Sequence, residues 1–381
     1  MELPPLSLYV HLPWCVRKCP YCDFNSHAVK GELPGDEYVN ALILDLEKEL
    51  PLVWGRPVHS VFFGGGTPSL FSAAQIDTLL CAMRGLLRLS PDAEVTLEAN
   101  PGTIEHDSFS AYRNAGVNRI SLGVQSFDES HLADLGRIHG AQEIEQSVAS
   151  IKRSGIDNFN IDLMFALPGQ SLKSALRDVR TAIACNPTHI SRYQLTIEPN
   201  TAFHANPPVL PDDDLAWKMQ QQGGRLLSEA GFDQYEISAW SRAGFQCRHN
   251  VNYWRYGDFL GIGAGAHGKV TIPSENAVRR RIRQRHPVDW MKAVTHGSGL
   301  AEDRKLDAGE RVFEFFLNQL RLREGVLKNQ LEPRTGVAWG AVSERVRRAV
   351  DKGLLREDNT RLTPTELGWR FSNEVQALFL P

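Results

Sequence analysis

The spacing of apolar residues switches repeatedly between two periods over the first two hundred positions. Runs with period two at 6–12, 57–63, 94–99, 117–125, 157–164 and 189–198 predict strands, and patterns near 36–50, 73–88, 105–114, 128–154 and 171–185 predict helices between them. This alternation predicts an α/β fold whose strands run parallel and are joined by right-handed crossovers. Inside the strands, one face is apolar and the other polar. Leu6, Leu8, Val10 and Leu12 oppose Ser7, Tyr9 and His11, and Val95 and Leu97 oppose Glu94, Thr96, Glu98 and Asn100. Ile120, Leu122 and Val124 oppose Arg119, Ser121, Gly123 and Gln125, and Phe159, Ile161 and Leu163 oppose Asn158, Asn160 and Asp162. In the last strand Tyr193, Leu195 and Ile197 oppose Arg192, Gln194, Thr196 and Glu198. A doubly wound sheet would be apolar on both faces, and a closed eight-stranded barrel fills its interior with branched apolar side chains. Polar inner faces fit a sheet curled around a hydrated, ligand-filled cavity; a sheet with one solvated side is the alternative.

After about residue 199 the rhythm stops. The proline-rich stretch 206–211 leads into a helix near 212–230, opened by Asp212, Asp213 and Asp214 at the positive end of the helix dipole. From about 305 a small α+β domain is expected: FEFFLNQLRL is an amphipathic helix, and KGLLREDNTRLTPTELGWRF reads as helix end, strand, polar turn, strand and helix start, a winged-helix-like order. The chain thus divides into 1–237, 238–304 and 305–381. Winged modules often bind DNA, but Glu357 and Asp358 occupy the wing turn and no basic recognition stripe accompanies them. A lid or interaction module is the better reading.

Composition narrows the setting. A net charge of −3 over 381 residues supplies no field that favours nucleic acid. Neither a basic-then-apolar leader nor an apolar run of spanning length is present. Six cysteines in so long a chain are not a disulfide framework, and a cytoplasmic location is expected.

The chemistry lies directly after the first strand. Cys15, Cys19 and Cys22 form a C-x3-C-x2-C array in YVHLPWCVRKCPYCDF. Three thiolates can each hold one iron of a [4Fe–4S] cluster, leaving the fourth iron open to a small molecule. A zinc knuckle with His11 or His27 as fourth ligand, or loop cysteines without metal, are the other readings of this spacing. Gly64, Gly65, Gly66 and Thr67 end the second strand, where glycines allow close backbone approach and N–H groups can face an anion.

The array, with Tyr21 before its last cysteine, resembles the radical S-adenosylmethionine (SAM) superfamily. SLYVHLPWC and FFGGGTPS resemble its oxygen-independent coproporphyrinogen III oxidase group, and within that the haem chaperone branch. The resemblance implies an open, partial (β/α)6 barrel, with SAM chelating the open iron and cleaved by an electron from the cluster to a 5′-deoxyadenosyl radical. It implies that Gly65, Gly66 and Thr67 hold the methionyl part of SAM, and that Tyr9 and Tyr21 are its aromatic neighbours. Glu98, Gln125, Arg137 and Asp162 match the polar ligands of the ribose and the amino-acid end. His249, Asn250, Tyr253 and Trp254 form an H-N-x-x-Y-W element that marks the chaperone branch and makes His249 a candidate haem ligand, with Cys247 a second. The glycine-rich 261–268 run with His267 looks like a barrel-closing loop that approaches SAM. The arginine-rich 279–286 run could pair with haem propionates or anionic headgroups, or form a solvated strand edge.

Two departures from the oxidase pattern stand out. Phe24 occupies the position of a further cysteine, and almost no chain precedes Cys15 to close over substrate. The expected function is therefore a haem chaperone that binds a [4Fe–4S] cluster, SAM and haem and passes haem to an acceptor protein, in the cytoplasm or at a membrane surface. The alternative is an oxygen-independent coproporphyrinogen III oxidase. A winged nucleic-acid-binding regulator with a redox cluster is disfavoured by the charge pattern.

Overall fold

A computed structural model describes residues 1–102 and 108–381. Six strands follow the expected order: β1 (Leu6–Leu12), β2 (Pro57–Gly65), β3 (Arg88–Ala99), β4 (Arg119–Gln125), β5 (Asn158–Phe165) and β6 (His189–Gln194). Each is hydrogen-bonded in parallel to the next. The helices α1 (Gly35–Val53), α2 (Ala73–Leu86), α3 (Phe109–Ala115), α4 (Ala141–Ser154) and α5 (Leu172–Ala184) lie between them. The first residues of the helix expected at 105–114 fall outside the described residues. Apolar side chains such as Leu8, Val61, Leu97, Leu122 and Ile161 are fully buried against the helices, so the polar sets face the other way, into a lumen.

Further strands extend this sheet at both edges. They are β7 (Asp233–Glu236), β8 (Ala239–Ser241), β9 (Asp258–Ile262), β10 (His267–Ile272), β11 (Ala277–Arg283) and β12 (Leu300–Lys305). The spatial order is β12-β11-β10-β9-β1-β2-β3-β4-β5-β6-β8-β7. β9 pairs in parallel with β1, so the glycine-rich 261–268 run is the end of a strand, a turn and the start of β10 rather than a free loop. Ser191 and Tyr193 from β6 line one cavity together with His267 and Ile282 from the far side of β1. That convergence shows the sheet to be curled into an open barrel.

Three segments depart from the pattern of the sequence. The helix expected over 128–154 is broken into Glu129–Asp134 and Ala141–Ser154, because Gly136 (φ +66°) and the N-cap Gly140 interrupt it. In β6 the alternation fails at its centre: Tyr193 lines the lumen together with Gln194, while Arg192 is buried outside it and donates to the Met219 carbonyl at 2.8 Å from its position over the Phe165 ring. The arginine-rich run is mostly paired inside the protein and is not a solvated edge, while Arg285 stays exposed and lines that same cavity. Arg283 is fully buried against Asp45 and Glu49 (3.1 and 2.8 Å), Arg281 against Glu49 (3.0 Å), and Arg280 holds Glu314 with two donors. These pairs clamp β11 to α1 and to the C-terminal region.

Beyond β12, α6 (Ala308–Gln319) begins a second apolar cluster with Phe315, Phe316, Val346, Leu355 and Phe379. A three-stranded antiparallel sheet of Val326–Leu327, Arg361–Pro364 and Leu355–Glu357 completes a winged-helix-like α+β unit. In its wing Asp358 accepts from the Thr360 and Arg361 N–H groups, both at 2.7 Å, so that acid shapes the turn. Among the described residues no helix is long and apolar enough to cross a membrane.

Candidate functional site

The cysteines sit on a loop at the C-terminal end of β1. Trp14–Cys15 pairs with His27–Ala28, closing the loop at its base, and Lys18 donates to the carbonyls of Phe24 and Ser26 (3.0 and 3.2 Å). Cys15, Cys19 and Cys22 all line one cavity of about 390 Å³. Arg137 donates to Cys19 Sγ at 3.5 Å, and Ser26 lies 3.7 Å from Cys22 Sγ. Burial pushes the Cys15 and Cys22 thiols up. The donor set fits a cluster better than zinc. His11 has both ring nitrogens engaged, by Tyr9 Oη (3.0 Å) and the Asn25 carbonyl (2.9 Å), and His27 packs edge-on to His286 away from this cavity.

The glycine segment packs against this loop. Gly65 has φ +113° and a Cβ there would lie 2.5 Å from the His11 ring; at Gly66 it would meet the Trp14 carbonyl at 2.4 Å. The expectation of free N–H donors is corrected. Gly65 N donates to Glu98 Oε2 (3.2 Å), Gly66 N to the Leu12 carbonyl (2.8 Å) and Thr67 N to the Trp14 carbonyl (2.7 Å). What remains for a ligand is close approach and carbonyl lone pairs.

Tyr21, Glu98, Gln125, Arg137 and Asp162 line the same cavity. Gln125 is held at φ +68°, an unusual backbone state for a non-glycine residue and one concentrated at functional sites. The broken helix aims Arg137 inward. Its Nη2 donates to Asn100 Oδ1 and to the Gly123 carbonyl (2.7 Å), and Asn100 in turn donates to Thr67 Oγ1 (2.9 Å). Asn100, at the end of the β3 polar face, thus ties the glycine segment to Arg137, a role the alternation alone could not assign. Tyr9 lies elsewhere: it is on the wall of the adjoining cavity beside Phe62, not among the residues lining the cysteine cavity.

Two acids share the lumen. Asp162 accepts from Ser121 Oγ (3.0 Å) and Asn160 Nδ2 (2.9 Å), yet burial still raises its carboxyl. Burial, then Asp162, pushes Glu98 up to about 8. A carboxyl raised on folding contributes stability below its unfolded value, near 4.3, and loses it as pH rises through about 8. Glu98→Gln in the cluster-free chain is therefore expected to melt close to wild type at pH 5 and above it at pH 9. Equal differences at the two values would contradict the raised Glu98.

A second cavity of about 900 Å³ adjoins the first, sharing Phe24, Gly65, Glu98, Ser121, Asp162 and Tyr193 with it. Its floor is the short helix Arg248–Trp254, and its walls include Phe62, Tyr253, Trp254 and Phe259. His249 packs tilted against Phe62, with ring centroids 5.1 Å apart. Ser60 donates its proton to Ser7 Oγ (2.8 Å), so its 3.3 Å contact with His249 Nδ1 uses the ring N–H. Nε2 then carries the lone pair, and no protein group among the described residues engages it. Burial, then Arg119, lowers this imidazole to about 3, so it is neutral at pH 7. Cys247 does not line the cavity. It points to Glu94 Oε1 at 3.6 Å, and burial pushes its thiol up to about 12. His267 borders this second cavity and not the cysteine one.

Residues 9–182 match the Radical SAM superfamily, and residues 306–371 match the HemN C-terminal domain. The chain is 50% identical over 380 residues to the Heme chaperone HemW of Escherichia coli, covering 100% of this chain and 99% of that one. It is 48% identical to Heme chaperone HemW of Haemophilus influenzae, with coverage of 100% and 99%. With the mitochondrial radical S-adenosyl methionine domain-containing protein 1 of Bos taurus it shares 37% identity, over 93% of this chain and 83% of the other. The solved structure of the coproporphyrinogen III oxidase HemN from Escherichia coli superposes with a TM-score of 0.83 over 99% of this chain and 90% of that one, at 22% identity, which establishes the shared fold. Cysteine loop, open barrel, C-terminal unit and full-length identity agree: the chain belongs to the radical SAM superfamily, in the family of the HemW heme chaperones.

Proposed function

We propose that this chain is a haem chaperone that holds a [4Fe–4S] cluster on Cys15, Cys19 and Cys22, SAM in the cysteine cavity, and haem in the adjoining cavity on His249, for delivery to an acceptor protein. The observation that carries the reading is the neutral His249, whose bare Nε2 is fixed by Ser60 beside a large aromatic-walled cavity continuous with the cysteine one. Neutral imidazole is a common axial ligand, and a partner on its other nitrogen sets the tautomer and raises its basicity. In the first cavity Arg137 supplies positive charge for a carboxylate, with three of its five N–H donors already used to keep it in place. Glu98, Gln125 and Asp162 offer polar groups to the ribose and amino-acid ends, and Tyr21 an aromatic face to the adenine. When bound, the cluster supplies a one-electron reductant to SAM.

Porphyrinogen oxidation is the competing assignment. Phe24 is 60% exposed and lines both cavities at the position where the oxidases carry a further cysteine. Anaerobic incubation of the reconstituted chain with coproporphyrinogen III, SAM and reductant is expected to yield no stoichiometric protoporphyrinogen. Stoichiometric product would replace the chaperone reading by the oxidase one.

A further inference from the structure

The second cavity holds a buried cation that the protein leaves without a hydrogen-bond partner, although Glu94 and Asp162 are near enough to favour its charge. Arg119, first residue of β4, is 2% exposed and turned into the lumen, and its Nε is sealed from solvent with no acceptor. Among the described residues no hydrogen bond and no salt bridge involves this guanidinium. The nearby acceptors take their donors from other groups. Glu94 Oε1 takes the His249 N–H (3.2 Å) and the Cys247 thiol, Asp162 takes Ser121 and Asn160, and Asn160 Oδ1 takes Ser191 N (2.9 Å) and His189 (2.7 Å). The other arginines of the cavity differ: Arg280 is bidentate to Glu314, and Arg285 is exposed.

Leaving a buried charge without hydrogen-bond partners is costly, so such a group is ordinarily completed by something that binds. A guanidinium matches the two oxygens of a carboxylate. We infer that Arg119 is the anchor for a carboxylate of the ligand in this cavity, so that a tetrapyrrole enters with a propionate directed to the lumen wall beside His249. This rests on the haem-binding reading above but names a contact that metal ligation does not require.

Metal-free mesoporphyrin IX and its dimethyl ester separate the two contacts, because neither offers iron to His249. Fluorescence titration of the full chain is expected to show the diacid binding about tenfold more tightly than the diester, the worth of one charge-assisted pair. Arg119→Met should bring the two affinities together, and Arg119→Lys should restore part of the preference. His249→Ala should weaken haem and leave the diacid preference intact. Wild type binding diacid and diester equally, or Arg119→Met keeping the preference, would overturn the assignment while leaving haem binding standing. Failure of wild type to bind haem or either porphyrin would overturn both.

Discussion

Cys15→Ser, Cys19→Ser and Cys22→Ser are each expected to abolish the iron–sulfur absorbance after anaerobic reconstitution. In the proposed cluster each thiolate would hold its own iron, so losing one would remove a bond for which the loop has no substitute. His11 is locked between Tyr9 and Asn25, and Ser26 offers only a hydroxyl. Cys81→Ser on the exposed side of α2 and Cys185→Ser at the end of α5 should leave the spectrum unchanged, because neither borders the cavity. Iron and sulfide analysis checks the result. Four irons retained in any of the three ligand variants would refute the assignment.

His249→Ala is expected to shift the Soret band and loosen haem far more than Trp254→Phe. On the proposed ligation the first change removes a coordinate bond from the metal. The second removes part of one aromatic wall, which is worth only about 0.5–1.5 kcal/mol beyond area burial, and Tyr253 and Phe259, with ring centroids 4.9 Å apart, remain to cover the macrocycle. Ser60→Ala falls between them, at about tenfold, because it frees the ring without removing it. Cys247→Ser should leave the band in place, since the thiol points to Glu94. An unchanged spectrum in His249→Ala would move the ligand to His267.

The barrel was legible because its inner and outer faces differ in polarity. Ser7, Tyr9, Glu98, Ser121, Gln125 and Asp162 line cavities on the face that alternation assigned to them. Phase was lost at β6, where pairing stops at Gln194 and the apparent pattern continued into a loop. There Tyr193 is apolar in composition yet faces the lumen, and Arg192 is charged yet packs outward through its stem and two carbonyls of the neighbouring helix. The arginine run misled for a related reason. Its partners Asp45, Glu49 and Glu314 are distant in sequence, so composition showed the cations without the acids that neutralise them. β9 was hidden by its glycines. A Cβ at Gly261 would lie 1.9 Å from the His267 carbonyl, so the glycine belongs to close strand packing and not to a loop. The hydrogen bonds that fix the tautomer of His249 and the unpaired Nε of Arg119 depend on contacts between segments, and no spacing in one chain reveals them.

The central claim is that one chain holds cluster and haem together, in adjoining cavities. Its most direct test is an anaerobic haem titration of the cluster-reconstituted chain and of His249→Ala, reading the Soret band while iron and sulfide are assayed on the same samples. Saturation of the wild type at one equivalent of haem with the cluster intact, and weakened haem with an equally intact cluster in His249→Ala, is the result expected. Haem that binds only by displacing the cluster, or that binds His249→Ala as tightly and with the same spectrum as wild type, would contradict it.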